Sequence, residues 1–112
     1  MKLVKVTLEP RRWTRFKLAK RVRGTKRVAY RYCATGAALR ALGVQPRDIV
    51  NRGSVCTLPD RVRAKLPNVC IYWSAFTAIN DAAHKLTPKV VEDLNEMARS
   101  TEAPFRFVWG GK

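Results

Sequence analysis

The residues of this 112-residue sequence that are best suited to binding an anion form a basic segment between positions 11 and 27. Lysine and arginine alternate there with apolar residues, and no acidic residue interrupts them. Clustered cations of this kind bind phosphate oxygens without reading base sequence, whereas a merely solvated surface usually mixes both signs of charge. The candidate phosphate-binding residues are Arg11, Arg12, Arg15, Lys17, Lys20, Arg21, Arg23, Lys26 and Arg27.

The positive charge of the chain is concentrated near its N-terminus. The sequence contains 23 Lys and Arg against 8 Asp and Glu, which gives a formal net charge of +15. Residues 1–31 contain 12 of these cations and one acid, Glu9. A positive surface attracts a polyanion. We therefore expect the partner to be nucleic acid, either DNA or RNA, or else an acidic protein surface.

Two aromatic residues lie in or beside the basic segment. Trp13 or Tyr30 could stack on an exposed base if the target is single stranded, but either ring could equally belong to the core, which is the interpretation we favour for Trp13. No signature of a known nucleic-acid-binding motif accompanies the segment. The pattern therefore leaves the choice between DNA and RNA open.

The adjacent polar residues Asn80 and Asp81 are a second candidate site. The pair could supply a ligand or a catalytic carboxylate at a helix end. Alternatively, Asn80 ends the helix in a left-handed conformation and Asp81 hydrogen-bonds the loop that leads to Thr87. We favour the structural alternative, because capping of this kind is routine in such loops.

Three cysteines and one histidine, namely Cys33, Cys56, Cys70 and His84, are the remaining residues that could bind a metal or act as nucleophiles. Structural zinc sites usually contain a close Cys-x2-4-Cys pair, which is missing here. No activating sequence surrounds any of the thiols. We expect buried thiols, no metal, no cofactor and no enzymatic activity.

Three segments of the chain have the alternation or β-branched content of strands. Residues 2–9 form the first, and Phe105–Trp109 forms the last. In residues 13–23 a strand would place Phe16, Leu18 and Val22 on one face and the cations on the other. Gly24 and Thr25 follow as a turn.

Three main helices are predicted between these strands. The first runs from residue 27 or 28 to Leu42, and its Gly36 and neighbouring alanines predict close packing by a bulky element. The second runs from Val69 to about Ile79 and supplies the bulky side chains. The third begins at Thr87 and ends near Ser100. Between the first two helices, residues 59–66 form one helical turn, and Asn68 caps the second helix.

Length and pattern together predict one basic α+β domain over residues 1–112, with the three main helices packed against a small antiparallel sheet built from N-terminal, middle and C-terminal strands. No apolar run is long enough to span a membrane, and the first residues do not resemble a signal peptide. With an odd number of cysteines, the chain is expected in the cytoplasm. Its oligomeric state is left open.

A set of residues spread over roughly positions 13–98 carries a resemblance to known proteins: Trp13, Gly24, Cys33-Ala34-Thr35-Gly36-Ala37, Asn80-Asp81, Thr87, Val91, Leu94 and Ala98. The pattern resembles a family of uncharacterised small bacterial and phage proteins known only as a domain of unknown function. The usual Trp before Asn-Asp is Ile79 here, and the usual Leu after Gly-Ala is displaced to Leu39. The resemblance implies a phage or mobile-element origin, and hence the host cell cytoplasm, but supplies no mechanism.

Two functions from different classes follow from these observations. The first is a non-enzymatic nucleic-acid-binding accessory protein that contacts phosphates through its basic N-terminal face. The second is a protein-interaction module, such as a host-directed inhibitor or regulator, that docks the same face on an acidic host protein. Both depend on an ordered cationic surface.

Overall fold

The fold is taken from a computed structural model of the chain, which describes residues 2–22, 29–66 and 73–111. Within these ranges four strands and five α-helices are combined in the manner of an α+β protein, as the sequence predicts. Short 3-10 turns occupy Pro10–Arg12 and Val55–Thr57. In chain order the elements are β1 (Val4–Leu8), β2 (Ala19–Val22), β3 (Ala29–Tyr32), α1 (Ala34–Ala41), α2 (Pro46–Ile49), α3 (Asp60–Arg63), α4 (Trp73–Ala82), α5 (Pro88–Ser100) and β4 (Phe105–Trp109).

The strands form two separate pairs, so the prediction of one antiparallel sheet is wrong. β1 pairs with β4 in parallel, with Val6 opposite Phe107. β2 and β3 form an antiparallel pair, with Lys20 opposite Arg31. Antiparallel neighbours can be joined by a short connection, whereas parallel neighbours need a long crossover. The terminal strands have the whole chain between them, so sequence alternation alone does not fix their direction.

The apolar core lies between the β1–β4 pair and the three longer helices. Trp73 stacks on Phe105 with their ring centroids 5.3 Å apart, and Phe76 packs against both rings. Alternate residues of β4 point into this cluster, since Phe105 and Phe107 are buried. The predicted role of the second helix as supplier of bulky side chains is thus confirmed for the part of it that the structure describes.

Helix α1 begins later than predicted. Residues 29–32 form β3 instead of a first helical turn, because their alternating Ala-Tyr-Arg-Tyr pattern pairs with β2. The helix starts at Ala34, and the Cys33 sulfur accepts a hydrogen bond from the Gly36 N–H at 3.3 Å. Gly43, with φ of +100°, follows the helix end as predicted.

The close contact at Gly36 is made by backbone, and not by the aromatic helix as predicted. A Cβ atom on residue 36 would lie 1.7 Å from the carbonyl oxygen of Leu18. The same oxygen accepts a hydrogen bond from the Cys33 N–H at 3.3 Å. Only glycine therefore allows the chain before β2 to lie directly against α1.

The two C-terminal helices match their predictions in part. The Thr87 hydroxyl accepts a hydrogen bond from the Val90 N–H at 3.3 Å, which is the predicted N-cap of α5. Helix α4 continues through Asn80 to Ala82, so the predicted end at residue 79 is wrong. The predicted cap at Asn68 and the predicted turn at Gly24 lie outside the described residues. The predicted helical turn near residues 59–66 is confirmed by α3.

Replacing Gly36 with alanine is predicted to destabilise the fold by at least about 3 kcal/mol, because the Leu18 backbone cannot retreat without breaking its contacts with α1. Urea denaturation followed by circular dichroism measures the change. Gly53→Ala is the matched control, because a Cβ there would meet its nearest atom, the Phe16 carbonyl oxygen, at an ordinary 3.6 Å. Equal losses in the two variants would contradict the packing described for Gly36.

The buried Cys33 thiol predicts a loss of stability at alkaline pH. Burial raises the pKa of Cys33 from its ordinary 9.0 to about 11, with the Gly36 N–H opposing this change. As the pH rises from 9.0 to about 11, the unfolded thiol ionises before the folded one. The unfolded state is thereby favoured, by up to about 3 kcal/mol. Cys33→Ala should remove this component of the pH dependence, and a wild type and variant with parallel stability curves above pH 9 would contradict it.

Candidate functional site

The basic segment is attached to the fold by the side-chain amide of Asn80. This residue is fully buried in α4. Its Oδ1 accepts hydrogen bonds from the Trp13 indole Nε1 at 2.5 Å and from the Ala34 N–H at 2.8 Å. Its Nδ2 donates to the Thr14 carbonyl at 3.1 Å and to the Asp81 carboxylate at 3.0 Å. All four hydrogen-bonding positions of the amide are used, which fixes its orientation.

Asp81 extends this network to the next residues of the basic segment. Its Oδ1 accepts a hydrogen bond from the Phe16 N–H at 2.9 Å. Its backbone carbonyl accepts two hydrogen bonds from the Arg15 guanidinium, from Nε at 3.1 Å and from Nη2 at 2.6 Å. Asn80 and Asp81, near the end of α4, therefore hold residues 13–16 in place.

The Asn80-Asp81 pair is structural in this arrangement, but in a different way from the predicted one. Asn80 lies within α4 with its side chain buried, and does not end the helix. Its partners include residues 13, 14 and 34, which lie far away in the sequence. Local capping motifs predict contacts only with near neighbours, so this long-range network was missed.

The strand predicted for residues 13–23 is confirmed only for Ala19–Val22. Leu18 and Ala19 are both buried, which breaks the predicted alternation. The cause is tertiary, because the Leu18 N–H donates to the Arg52 carbonyl at 2.6 Å and the Asn51 N–H to the Ala19 carbonyl at 2.8 Å. Phe16, predicted to face the core, is 62% exposed.

Exposed cations from the two strands of the β2–β3 pair line a surface groove of about 470 Å³. Lys20 and Arg31 lie directly opposite each other, so their side chains share one face of the pair. Arg21 is exposed beside them. We call this the basic groove, and its lining residues are Thr14, Lys20, Arg21, Val22 and Arg31.

A second group of cations lines a cleft of about 340 Å³, together with Trp13 and Tyr32. Lys5, Arg12 and Arg40 converge there around the half-buried ring of Tyr32. Burial raises the pKa of the Tyr32 hydroxyl, and the neighbouring Arg40 guanidinium opposes this change by charge and by hydrogen bonding. The cleft thus combines an aromatic wall with three cations and one carboxylate, that of Glu9.

The predicted phosphate-binding residues do not all share one surface. Lys20 and Arg21 lie in the basic groove, and Arg12 lies in the cleft. Arg15 is occupied by the Asp81 carbonyl, and Lys17 is exposed next to Phe16. Arg11 lines a separate hollow beside the C-terminal glycines. The rest of the set lies outside the described residues: Arg23, Lys26 and Arg27.

Three cations of this surface were absent from the predicted set: Lys5, Arg31 and Arg40. Arg31 was missed because a helix was predicted at that position. Its alternation with Tyr30 and Tyr32 is the signal that could have shown that Arg31 is exposed on a strand. Arg40 lies six residues after Ala34, the first residue of α1. Its approach to Tyr32 depends on how the helix packs, which spacing alone does not determine.

The carboxylates of the chain are engaged mostly away from these cations. Asp48 accepts a hydrogen bond from Arg61 at 2.9 Å, and Asp93 pairs with Lys89 on α5. In the part of the chain that the structure describes, the one carboxylate that pairs with a cation of the basic segment is Glu9, 3.5 Å from Arg12. Lys20, Arg21 and Arg31 therefore keep their charge available at the surface.

The other residues considered for chemistry do not come together. Cys33 is buried and Cys56 is exposed, while Cys70 lies outside the described residues. His84 is exposed in the loop before α5. Over ranges 2–22, 29–66 and 73–111, no three His, Cys, Asp or Glu side chains lie close enough to hold a metal ion. No helix of these ranges has the length and apolar character needed to cross a bilayer.

Comparison of the chain with protein-family models, with curated proteins and with solved structures found no significant match. The resemblance to uncharacterised bacterial and phage proteins therefore stays a prediction. Any functional conclusion rests on the geometry of the basic groove, the cleft and the Asn80 network.

Replacing Asn80 with alanine is predicted to destabilise the fold by about 3 kcal/mol or more, because it leaves the Trp13 indole and the Ala34 N–H without their acceptor. Chemical denaturation measures the loss, and tryptophan emission of the folded variant reports the changed setting of Trp13. Ser74→Ala, at an exposed position of the same helix, is the control. A loss below about 1 kcal/mol would show that the network is not a structural requirement.

Proposed function

We propose that the protein is a non-enzymatic nucleic-acid-binding protein that contacts the phosphate backbone through the basic groove. The observation that supports this most strongly is that Lys20 and Arg31 face each other across the β2–β3 pair and line one groove together with Arg21. All three side chains are exposed. Each can approach a phosphate oxygen, and such contacts supply affinity without base specificity.

The register of the β2–β3 pair favours an anionic ligand. Like charges directly opposite each other in an antiparallel pair are destabilising, and Lys20 lies opposite Arg31. No carboxylate within the described ranges neutralises this pair. A phosphate bound between the two side chains would replace their mutual repulsion with two attractive contacts.

The cleft extends the positive surface beyond the basic groove. Thr14 lines the groove, and its neighbour Trp13 lines the cleft. The Thr14 N–H donates to the Tyr32 carbonyl at 3.2 Å, so a residue of the groove and a residue of the cleft are direct neighbours. A polyanion that follows the groove would therefore next meet Arg12 and Arg40. An extended array of cations suits a nucleic acid better than a single small anion.

The proposed role is that of an accessory protein, encoded by a phage or mobile element and acting in the cytoplasm of the host cell. An acidic protein surface is the alternative partner for the same cations. Salt dependence separates the two partners, because each phosphate contact releases condensed counterions and gives a steep linear decrease of log affinity with log salt. A protein partner would instead bind at a fixed ratio.

Reversing the charge of the basic groove with Lys20→Glu, Arg21→Glu and Arg31→Glu is predicted to abolish binding to a generic duplex, single strand or RNA, because three attractive interactions with phosphate become repulsive. In the single Ala variants of these residues, the slope of log affinity against log salt should fall by about 0.7 to 0.9 for each phosphate that the variant no longer neutralises. Fluorescence anisotropy of labelled oligonucleotides over a salt series measures both effects.

The matched control is a second triple variant, Lys65→Glu, Lys85→Glu and Arg99→Glu, whose three positions are also exposed but lie outside the groove and the cleft. Both triple variants change the formal net charge of +15 by the same amount. If both lose binding equally, net charge and not the groove is responsible. If the groove variant binds nucleic acid as the wild type does, the proposed function is wrong.

A further inference from the structure

Phe16 lies in a conformation that is unfavourable for its residue type. Its φ is +68°, in the left-handed region that bulky residues rarely adopt. Its side chain is 62% exposed, although a phenylalanine gains stability by burial. Both features cost stability. Strain of this kind persists where the surrounding structure enforces it, and it is concentrated at ligand contacts.

The structure that enforces this conformation is the Asn80-Asp81 network. The Asp81 carboxylate holds the Phe16 N–H at 2.9 Å. The Arg15 guanidinium, itself bonded to the Asp81 carbonyl, lies 4.7 Å from the centroid of the Phe16 ring. The Asp81 carboxylate therefore holds the backbone of Phe16, and the Arg15 guanidinium lies against its ring, while most of the residue's surface remains open to solvent.

Two cations, Arg15 and Lys17, flank Phe16 in the sequence, and one carboxylate, that of Asp81, bonds its backbone. Lys17 is exposed. Thr14, two residues before Phe16, lines the basic groove, so the two backbones are at most about 7 Å apart. An exposed aromatic residue whose backbone lies near a cationic groove suits single-stranded nucleic acid, in which bases stack on rings while cations follow the backbone.

We infer that Phe16 is a stacking platform for an unpaired base of single-stranded nucleic acid whose phosphates lie in the basic groove. This inference rests on the proposed function and adds the form of the ligand to it. Stacking is tolerant of base identity, because every base has a π face. The site would thus favour single strands over duplex without selecting a sequence.

The test compares a short labelled oligothymidylate with an abasic sugar-phosphate oligomer of the same length, which has the same charge but no bases. We expect the wild type to bind the oligothymidylate about tenfold more tightly than the abasic oligomer. Phe16→Asn should remove this preference and leave affinity for the abasic oligomer unchanged. Phe16→Trp should retain the preference, because an indole also stacks.

Denaturation of the same variants is the control for folding. Asparagine adopts positive φ more readily than phenylalanine, so Phe16→Asn should not lower the denaturation midpoint while it weakens binding to oligothymidylate. The inference is supported if Phe16→Asn loses the preference for oligothymidylate while its denaturation midpoint stays the same or rises. The groove triple variant should weaken binding to both oligomers equally.

Two outcomes overturn the inference in distinguishable ways. If the wild type binds both oligomers with equal affinity and a steep salt dependence, or if Phe16→Asn keeps the preference for bases, the ring is no platform and the proposed function still stands. If the wild type binds neither oligomer nor duplex, the proposed function fails and this inference fails with it.

Discussion

The structure depends on one buried amide. The hydrogen bonds of Asn80 connect α4 to the chain at residues 13 and 14, and to the first residue of α1. These partners are separated from Asn80 by 46 residues or more in the sequence. A buried amide without partners would cost more free energy than its net bonds supply. The burial of Asn80 therefore depends on these partners, and its bonds fix where residues 13 and 14 lie.

Much of the fold could be predicted where one local signal dominates. Thr87 followed by Pro88 determines the start of α5, and Gly43 the end of α1, because cap geometry depends on near neighbours. The β4 strand was predicted from the run of aromatic and β-branched residues after Pro104. The pairing and direction of the strands could not be predicted, since the parallel pairing of β1 with β4 depends on how the chain between them folds. Residues 29–32 likewise became a strand through pairing with β2.

The candidate site shows the same division. Charge density along the chain predicted Lys20 and Arg21, because exposure of a charged side chain needs no tertiary information. Arg15 was predicted with them, but the structure places it apart from them, since its guanidinium bonds the Asp81 carbonyl. Arg40 was missed because it reaches the cleft from α1, and nothing in the sequence indicates that α1 lies next to the basic segment. A contact between residues 66 positions apart, such as that of Arg15 with Asp81, leaves no short-range pattern.

At and near the basic groove, the local backbone conformation and the placement of like charges oppose the stability of the fold as a whole. The positive φ of Phe16 and the facing pair Lys20 and Arg31 are each unfavourable on their own. Elsewhere most large apolar residues are buried and carboxylates such as Asp48 and Asp93 pair with nearby cations, although Asn51 and Glu102 also have positive φ. Local rules are expected to fail at functional or strained sites, which agrees with the function proposed for this surface. Since the Asn80-Asp81 network holds residues 13–16 against α4, the positive φ of Phe16 is kept in place by the fold, as the proposed contact with a ligand requires.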